Sequence, residues 1–310
     1  APLANMPWAM WLDSGQSEHI DACFDILVWQ PEVTLCTYGK KTSIHYVKSN
    51  ETQQREDDPL SLLDTLQKQI IKLAPSGMAF SKQNLPFLGG ALGYFAYDLG
   101  RRFEQLPIEA EQDINIPEMA VGIYSHAVIF DHKKKQFFLV CPQDERQKME
   151  AFLLESLSTQ GKKETSPKDF YLTSSWQSNM SKTSYVEKFD QIQQYLLNGD
   201  CYQINLAQRF SADYQGDEFQ AYCALREENK APFSAFIQLE HAAILSISPE
   251  RFLQLSHSKI QSKPIKGTMP RSNNKIQDEK NAVILENSSK DRAENVMIVD
   301  LLRNDISKVC

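Results

Sequence analysis

Three features of this 310-residue chain predict an α+β fold. Short apolar runs rich in β-branched and aromatic residues recur along most of its length. Amphipathic helical patterns fall between them. The two do not alternate in the regular βα order that a parallel sheet demands, so the strands are expected to be mainly antiparallel. Taken in order, Phe24 to Trp29, Val33 to Tyr38 and Ser43 to Val47 read as strands, punctuated by Pro31 and Gly39. Asp58 and Pro59 supply an N-cap and an N1 proline for a helix whose apolar face is Leu62, Leu63, Leu66, Ile70 and Leu73. Leu88 to Tyr97 reads as a strand in which Gly89, Gly90 and Gly93 mark close packing or a bulge. Those glycines do not spell the dinucleotide fingerprint, so no nucleotide cofactor is expected.

Arg101 to Pro117 is a polar, acidic connector. Met119 to Phe130 and Gln136 to Cys141 read as a strand pair across a turn at Asp131 to Lys135, and Asp144 to Ser158 as a charged amphipathic helix. Thr159 to Lys168 has the composition of a surface loop. Thr183 is the expected cap of a helix carrying Val186, Phe189, Ile192, Tyr195 and Leu196, closed by Gly199. Cys201 to Phe210 alternates as a strand, and Asp217 to Lys230 is helical. Phe233 to Leu239, Ala242 to Ser248, Phe252 to Ser256 and Ile260 to Pro264 read as successive antiparallel strands. Ser288 or Ser289 starts a last helix with Val296, Met297, Leu301 and Leu302 facing inward.

Composition narrows the function. A net charge of −7 leaves no basic face for a phosphate backbone, which argues against nucleic acid as a partner. No apolar run approaches the ~20 residues of a membrane span. Ala1 to Trp11 has neither a basic head nor a long apolar core, so no signal peptide is read there and a cytoplasmic setting is expected. The cysteines, Cys23, Cys36, Cys141, Cys201, Cys223 and Cys310, form no C-x-x-C pair and read as reduced thiols. Residue 1 is not methionine and the last helical pattern runs nearly to Cys310, which predicts a piece of a longer protein.

Two segments bear chemistry. Pro264-Ile265-Lys266-Gly267-Thr268 puts an amine in a rigid turn, and Lys290-Asp291-Arg292-Ala293-Glu294-Asn295 puts a carboxylate early on a helix. A lysine attacks carbon only when neutral, so a nucleophilic Lys266 needs burial or a neighbouring cation. Otherwise it is a solvated turn residue. A single glutamate suits Mg²⁺, which keeps several waters and takes few protein oxygens, but Glu294 equally suits a helix N-terminus for its dipole alone. Glu250, in Ser248-Pro249-Glu250-Arg251, is either a working carboxylate or a surface partner of Arg251.

Those segments and several others resemble the chorismate-utilising enzymes, the family of anthranilate synthase component I. The matching stretches are Leu85-Pro86-Phe87-Leu88-Gly89-Gly90-Ala91-Leu92-Gly93, Asp98-Leu99-Gly100-Arg101-Arg102-Phe103, and Gly199-Asp200-Cys201-Tyr202-Gln203-Ile204-Asn205-Leu206. They continue with Ser248 to Phe252, Lys290 to Asn295 and Asp300-Leu301-Leu302-Arg303-Asn304-Asp305. The resemblance implies two β-rich lobes around a cleft and interleaved in sequence. It puts an N-terminal lobe at about residues 1–142 and an incomplete catalytic region at about 170–310. Within the family, a lysine at position 266 in place of the usual alanine is similar to the aminodeoxychorismate branch. There the lysine attacks C2 of chorismate and ammonia then attacks C4.

By the same matching, Glu294 resembles one of two Mg²⁺-holding glutamates, Glu250 a carboxylate that serves the departing C4 oxygen, and Thr268 a substrate-facing hydroxyl. Ammonia is expected from a glutaminase subunit. The family's histidine, its G-S-I-T-G-A-P-K-like segment, its carboxylate-binding arginine and its second glutamate have no match here, so residues 1–310 alone are expected to be inactive. A tryptophan pocket is implied by Ser14 and by Pro232, Phe233 and Ser234. Phe24 agrees with its lining, whereas Asp21, Ala22 and Cys23 depart from it. The rival readings are an anthranilate or isochorismate synthase, against the former of which Lys266 argues, and a non-catalytic tryptophan-binding fragment.

Overall fold

Two antiparallel sheets packed face to face form the body of the molecule. The computed structural model describes residues 3–15, 19–71, 84–109, 112–158 and 169–310. In chain order the strands of the first half are β1 (Met10–Asp13), β2 (Phe24–Val28), β3 (Val33–Tyr38), β4 (Lys41–Tyr46), β5 (Glu51–Arg55), β6 (Gly90–Phe95), β7 (Met119–Tyr124), β8 (Ala127–Asp131) and β9 (Gln136–Val140). Four two-residue strands follow: β10 (Tyr171–Leu172), β11 (Gln177–Ser178), β12 (Phe210–Ser211) and β13 (Tyr214–Gln215). The last are β14 (Ser234–Gln238), β15 (Ala243–Ser246), β16 (Arg251–Ser256) and β17 (Lys259–Lys263). The helices are α1 (Pro59–Ile70), α2 (Arg146–Ser158), α3 (Lys182–Asn198), α4 (Glu218–Asn229), α5 (Lys275–Asn287) and α6 (Ser289–Ser307). The fold is α+β, as expected.

One sheet has the order β15-β14-β1-β2-β8-β9 and the other β5-β4-β3-β7-β6. Their inner faces meet in a core of Met10, Val28, Ile129 and Ile237 from the first and Leu92, Ala120 and Tyr124 from the second. The outer face of the five-stranded sheet is closed by α1, whose Leu66 packs on Val33, Leu35, Ile44 and Val121. The outer face of the six-stranded sheet is closed by α4 at Phe219 and Tyr222 and by α2 at Met149. The result is four layers, helix–sheet–sheet–helices. A close approach of two strands explains one of the glycines read from the sequence. A Cβ on Gly93 would lie 2.1 Å from the Ala120 carbonyl oxygen, so only hydrogen fits between β6 and β7.

Several expectations are corrected. Met119 to Phe130 is not one strand but two, and they belong to different sheets. All six residues of β7 are buried because that strand is covered on both faces, so its sequence is continuously apolar and hides the break. At the break, the Ser125 hydroxyl donates to Glu32 Oε1 at 2.7 Å as the chain leaves one sheet for the other. The central strand β1 and the all-exposed polar edge strand β5 were not foreseen, the first being short and the second having no apolar face. Helix α3 is capped by Ser181, not Thr183, and Gly199 closes it at φ 78°.

Residues Cys201 to Phe210 form no strand beyond Phe210, because no described neighbour offers them a ladder. The four strands after Phe233 do not pair in one succession. β14 and β15 complete the large sheet, and β16 pairs with β17 alone. A helix, α5, occupies the polar stretch before the last helix. On α6, Val296 (67% exposed) and Leu301 (43% exposed) face outward in these residues, while Met297 and Leu302 are half-buried. Leu73 and the Thr159 to Lys168 loop lie outside the described residues.

Candidate active site

The β16–β17 hairpin builds the site. Glu250 stands immediately before β16, in a turn tightened by Ser248, whose hydroxyl accepts from the Glu250 amide at 3.3 Å. The chain leaving β17 folds back past this turn, and Ile265 N–H donates to Glu250 Oε1 at 3.0 Å. Glu250 therefore grips the backbone one residue before Lys266. Lys266 is half-buried, and Thr268, two residues on, is exposed.

Gly267 then joins the two segments singled out in the sequence. Its φ is 72°, in the left-handed region, and a Cβ there would lie 2.8 Å from Asp291 Cγ. Asp291 lies in the first turn of α6, where its amide donates to the capping hydroxyl of Ser288 at 3.3 Å. The lysine turn is thus seated directly on the N-terminal turn of α6. Glu294, half-buried, follows Asp291 by three residues on the same helical face. Two segments separated by a whole helix, α5, meet because glycine permits both the backbone angle and the approach.

A metal has less support here. Glu294 is a hard oxygen donor of the kind Mg²⁺ prefers. Among the described residues, however, no three Asp, Glu, His or Cys side chains are grouped to hold an ion. One carboxylate does not make a self-contained metal site.

The residues expected around tryptophan are also brought together in part. Asp13 pairs with Ser234 across β1 and β14, which sets Ser14 beside Phe233 and Ser234. Both hydroxyls are committed: Ser14 Oγ donates to the Phe24 carbonyl at 2.6 Å, and Ser234 Oγ to the Ala231 carbonyl at 3.0 Å. Phe24 packs against the inter-sheet core, Ala22 is buried, and Cys23 Sγ approaches the Ile20 carbonyl at 3.4 Å. Pro232 leads into β14, and the Phe233 ring lies under the Arg251 guanidinium at 5.6 Å. A cavity of about 360 Å³ lies elsewhere, between Trp8, Cys36, Tyr38, His45 and Glu240, and none of these eight residues lines it.

Sequence reasoning missed two charged networks. Asp13 is buried and accepts from Tyr222 OH at 3.1 Å, from Gly15 N–H at 2.8 Å and from the Arg226 guanidinium, so that α4 is bolted to β1. Asp21 binds Lys263 Nζ at 2.8 and 2.9 Å and Arg251 at 3.2 Å. The Lys263 ammonium holds the Asp21 carboxyl below its ordinary range, against the opposing effect of burial, and Arg251 adds to the lowering. Neither network had a local signal, since the partners are more than 200 residues apart.

Comparison with known proteins follows the same lines. The family of chorismate binding enzymes matches residues 9–310. Aminodeoxychorismate synthase component 1 of Escherichia coli (strain K12) is 50% identical over 307 residues, covering 99% of this chain and 65% of that protein. Its namesake in Klebsiella aerogenes is 50% identical over 311 residues, again covering 65% of the relative. Anthranilate synthase component 1 of Thermus thermophilus is 32% identical over 226 residues, or 72% of this chain and 49% of the relative. The crystal structure of anthranilate synthase component I from Streptococcus pneumoniae superposes with a TM-score of 0.74 at 26% identity, covering 94% of this chain and 63% of that one. The chain therefore spans about two thirds of the length of the curated relatives it matches over nearly its whole extent.

Proposed function

This chain belongs to the chorismate binding enzyme family, and from that premise we propose that it is the lysine-bearing part of a synthase that aminates chorismate at C4. The reading rests on one observation above all. Lys266 occupies a turn that Glu250 grips on one side and the first turn of α6 supports on the other. The 50% identity to aminodeoxychorismate synthase component 1 supports the same choice within the family.

In this reading the neutral Lys266 amine attacks C2 of chorismate. Both ring double bonds shift by one position, the C4 hydroxyl leaves as water, protonated by Glu250, and the newly bonded Lys266 nitrogen gives up a proton. Ammonia then attacks C4, both double bonds shift back, and the Lys266 nitrogen regains its proton and is expelled as the amine, leaving 4-amino-4-deoxychorismate with its enolpyruvyl group intact. Covalent capture divides one difficult substitution into two easier ones. Thr268, exposed two residues beyond Lys266, would meet the substrate. Glu294 would contribute to Mg²⁺ binding with ligands these residues do not supply. The ammonia would come from a separate glutaminase subunit, in keeping with a relative that is named a component. A cytoplasmic setting belongs to the same proposal.

The test uses the full-length polypeptide with chorismate, Mg²⁺ and ammonium, and resolves the products by chromatography. 4-Amino-4-deoxychorismate is expected, together with a trappable mass adduct on Lys266. Lys266→Ala should abolish the adduct and most of the product while changing stability by less than about 1 kcal/mol, because a turn lysine adds little to a core. Lys266→Arg should not restore activity, since a guanidinium stays protonated. Glu250→Gln should slow turnover by roughly 10²–10⁴-fold, the range of a general acid. Anthranilate as product, or full activity in Lys266→Ala, would remove this reading.

A second reading is tryptophan binding, favoured by the Asp13–Ser234 pairing that sets Ser14 beside Phe233. Calorimetric titration with tryptophan tests it, and no heat at millimolar ligand would dispose of it.

A further inference from the structure

We infer that Asp21 is a positioning residue that holds the β16–β17 hairpin, and with it Glu250 and Lys266, against the sandwich. The chemistry that depends on that placement is the amination proposed above; the clamp itself stands without it.

The hairpin needs such a clamp. It is a two-stranded ladder joined to neither large sheet. Two-stranded hairpins are at best marginally stable alone. Its register slips between Arg251 and Gln254, and its outward side chains gain little from burial: Phe252 is 75% exposed and Leu255 71%. Among the described residues, hydrophobic packing therefore does not fix where this hairpin sits.

The ionic contacts do. Arg251 and Lys263 are cross-strand partners at the base of the hairpin. A single carboxylate, Asp21, binds both: Lys263 through both oxygens at 2.8 and 2.9 Å, and Arg251 at 3.2 Å. Arg251 is also bonded to Gln261 at 2.6 Å and Gln254 at 2.7 Å and stacked over Phe233, so its guanidinium is held in orientation. Asp21 itself is mounted on the segment entering β2, a strand inside the six-stranded sheet, through the buried Ala22. Glu250 immediately precedes Arg251, and Lys266 follows Lys263 by three residues. Both groups thus stand at the clamped end of the hairpin.

The experiment compares wild type, Asp21→Asn, Asp21→Glu and Lys263→Gln in the full-length polypeptide, by hydrogen exchange of peptides spanning residues 250–268 and by chorismate amination. Asp21→Asn and Lys263→Gln should each accelerate exchange at the Ile265 amide by about tenfold, the scale of one charge-assisted bond. A variant that combines Asp21→Asn with Lys263→Gln should be no worse than either single, as members of one network are not additive, and a fully additive loss would overturn the clamp. Turnover should fall about tenfold with KM nearly unchanged, because misplaced groups lose rate before binding. Asp21→Glu should recover most of both. Unaltered exchange in both single variants overturns the clamp. Accelerated exchange with undiminished kcat overturns the positioning role. A wild type that does not aminate chorismate refutes the functional proposal instead, and the exchange data still decide the clamp.

Discussion

The sandwich and the segment that carries Lys266 are built by opposite rules. In the sandwich, β7 is buried along its entire length, and each of α1, α2 and α4 sets at least one side chain in a closed core. In the other segment, α3, α5 and α6 bury no side chain fully, and Val186, Phe189, Ile284, Val296 and Val299 remain more than 40% exposed in these residues. The sandwich is held by area removed from water, at roughly 25 cal/mol per Å². The lysine segment is held by individual contacts: the bond from Ile265 to Glu250, the close seat of Gly267 on Asp291, and Asp21 on two cations. A scaffold can be made from many interchangeable contacts. A site has to be placed by a few specific ones, so single substitutions should act very differently in the two regions.

The contrast should be largest in hydrogen exchange. Amides of β7 should open only with global unfolding and those of α6 locally, a difference of at least about 10³-fold in protection for a domain of ordinary stability. Equal protection in α6 of this chain would erase the distinction. Next in size, Asp13→Ala should destabilise the sandwich by about 3 kcal/mol in urea melts, because it removes the buried partner of Arg226 and leaves that guanidinium only the exposed carboxylate of Glu227. Replacing both partners with apolar residues should cost much less, whereas an equal loss would mean that the pair itself, rather than the stranded charge, carries the energy.

Gly267→Ala should cost about 1–2 kcal/mol locally, from the left-handed backbone and the contact with Asp291. The sandwich's melting point should stay where it is while the Lys266 turn shifts, visible as new amide chemical shifts at residues 264–268. A fall in the sandwich's melting point would join the two regions into one cooperative unit.

The smallest effect should be one of pH. The Asp21 carboxyl is held below its ordinary value by Lys263, so its contribution is complete above the unfolded value near 4 and is lost as pH falls through the folded value. The melting difference between wild type and Asp21→Asn should therefore shrink below pH about 4. A difference that grows on acidification would reverse the assigned sign.

Much of this was legible along the chain. Helix α1 follows from Asp58 and Pro59, and Asp58 does accept from the amides of Leu60 and Ser61. The hairpins β8–β9 and β16–β17, the stop at Gly199 and the helix α4 follow from local period and turn chemistry, which need no distant partner. Lys266, Glu250 and Glu294 were visible as residue types in motifs, and Gly267 as a turn glycine. Other features were not legible. β7 and β8 look like one strand because burial on both faces removes the alternation that would mark their boundary. β1 is central only because β14, more than 200 residues later, pairs with it. The seat of Gly267 on Asp291 and the grip of Asp21 on Lys263, 242 residues away, are tertiary facts. Periodicity reports each residue's average surroundings. An ion pair or a close approach depends on which other side chain occupies those surroundings, and that is settled only when the sheets pack.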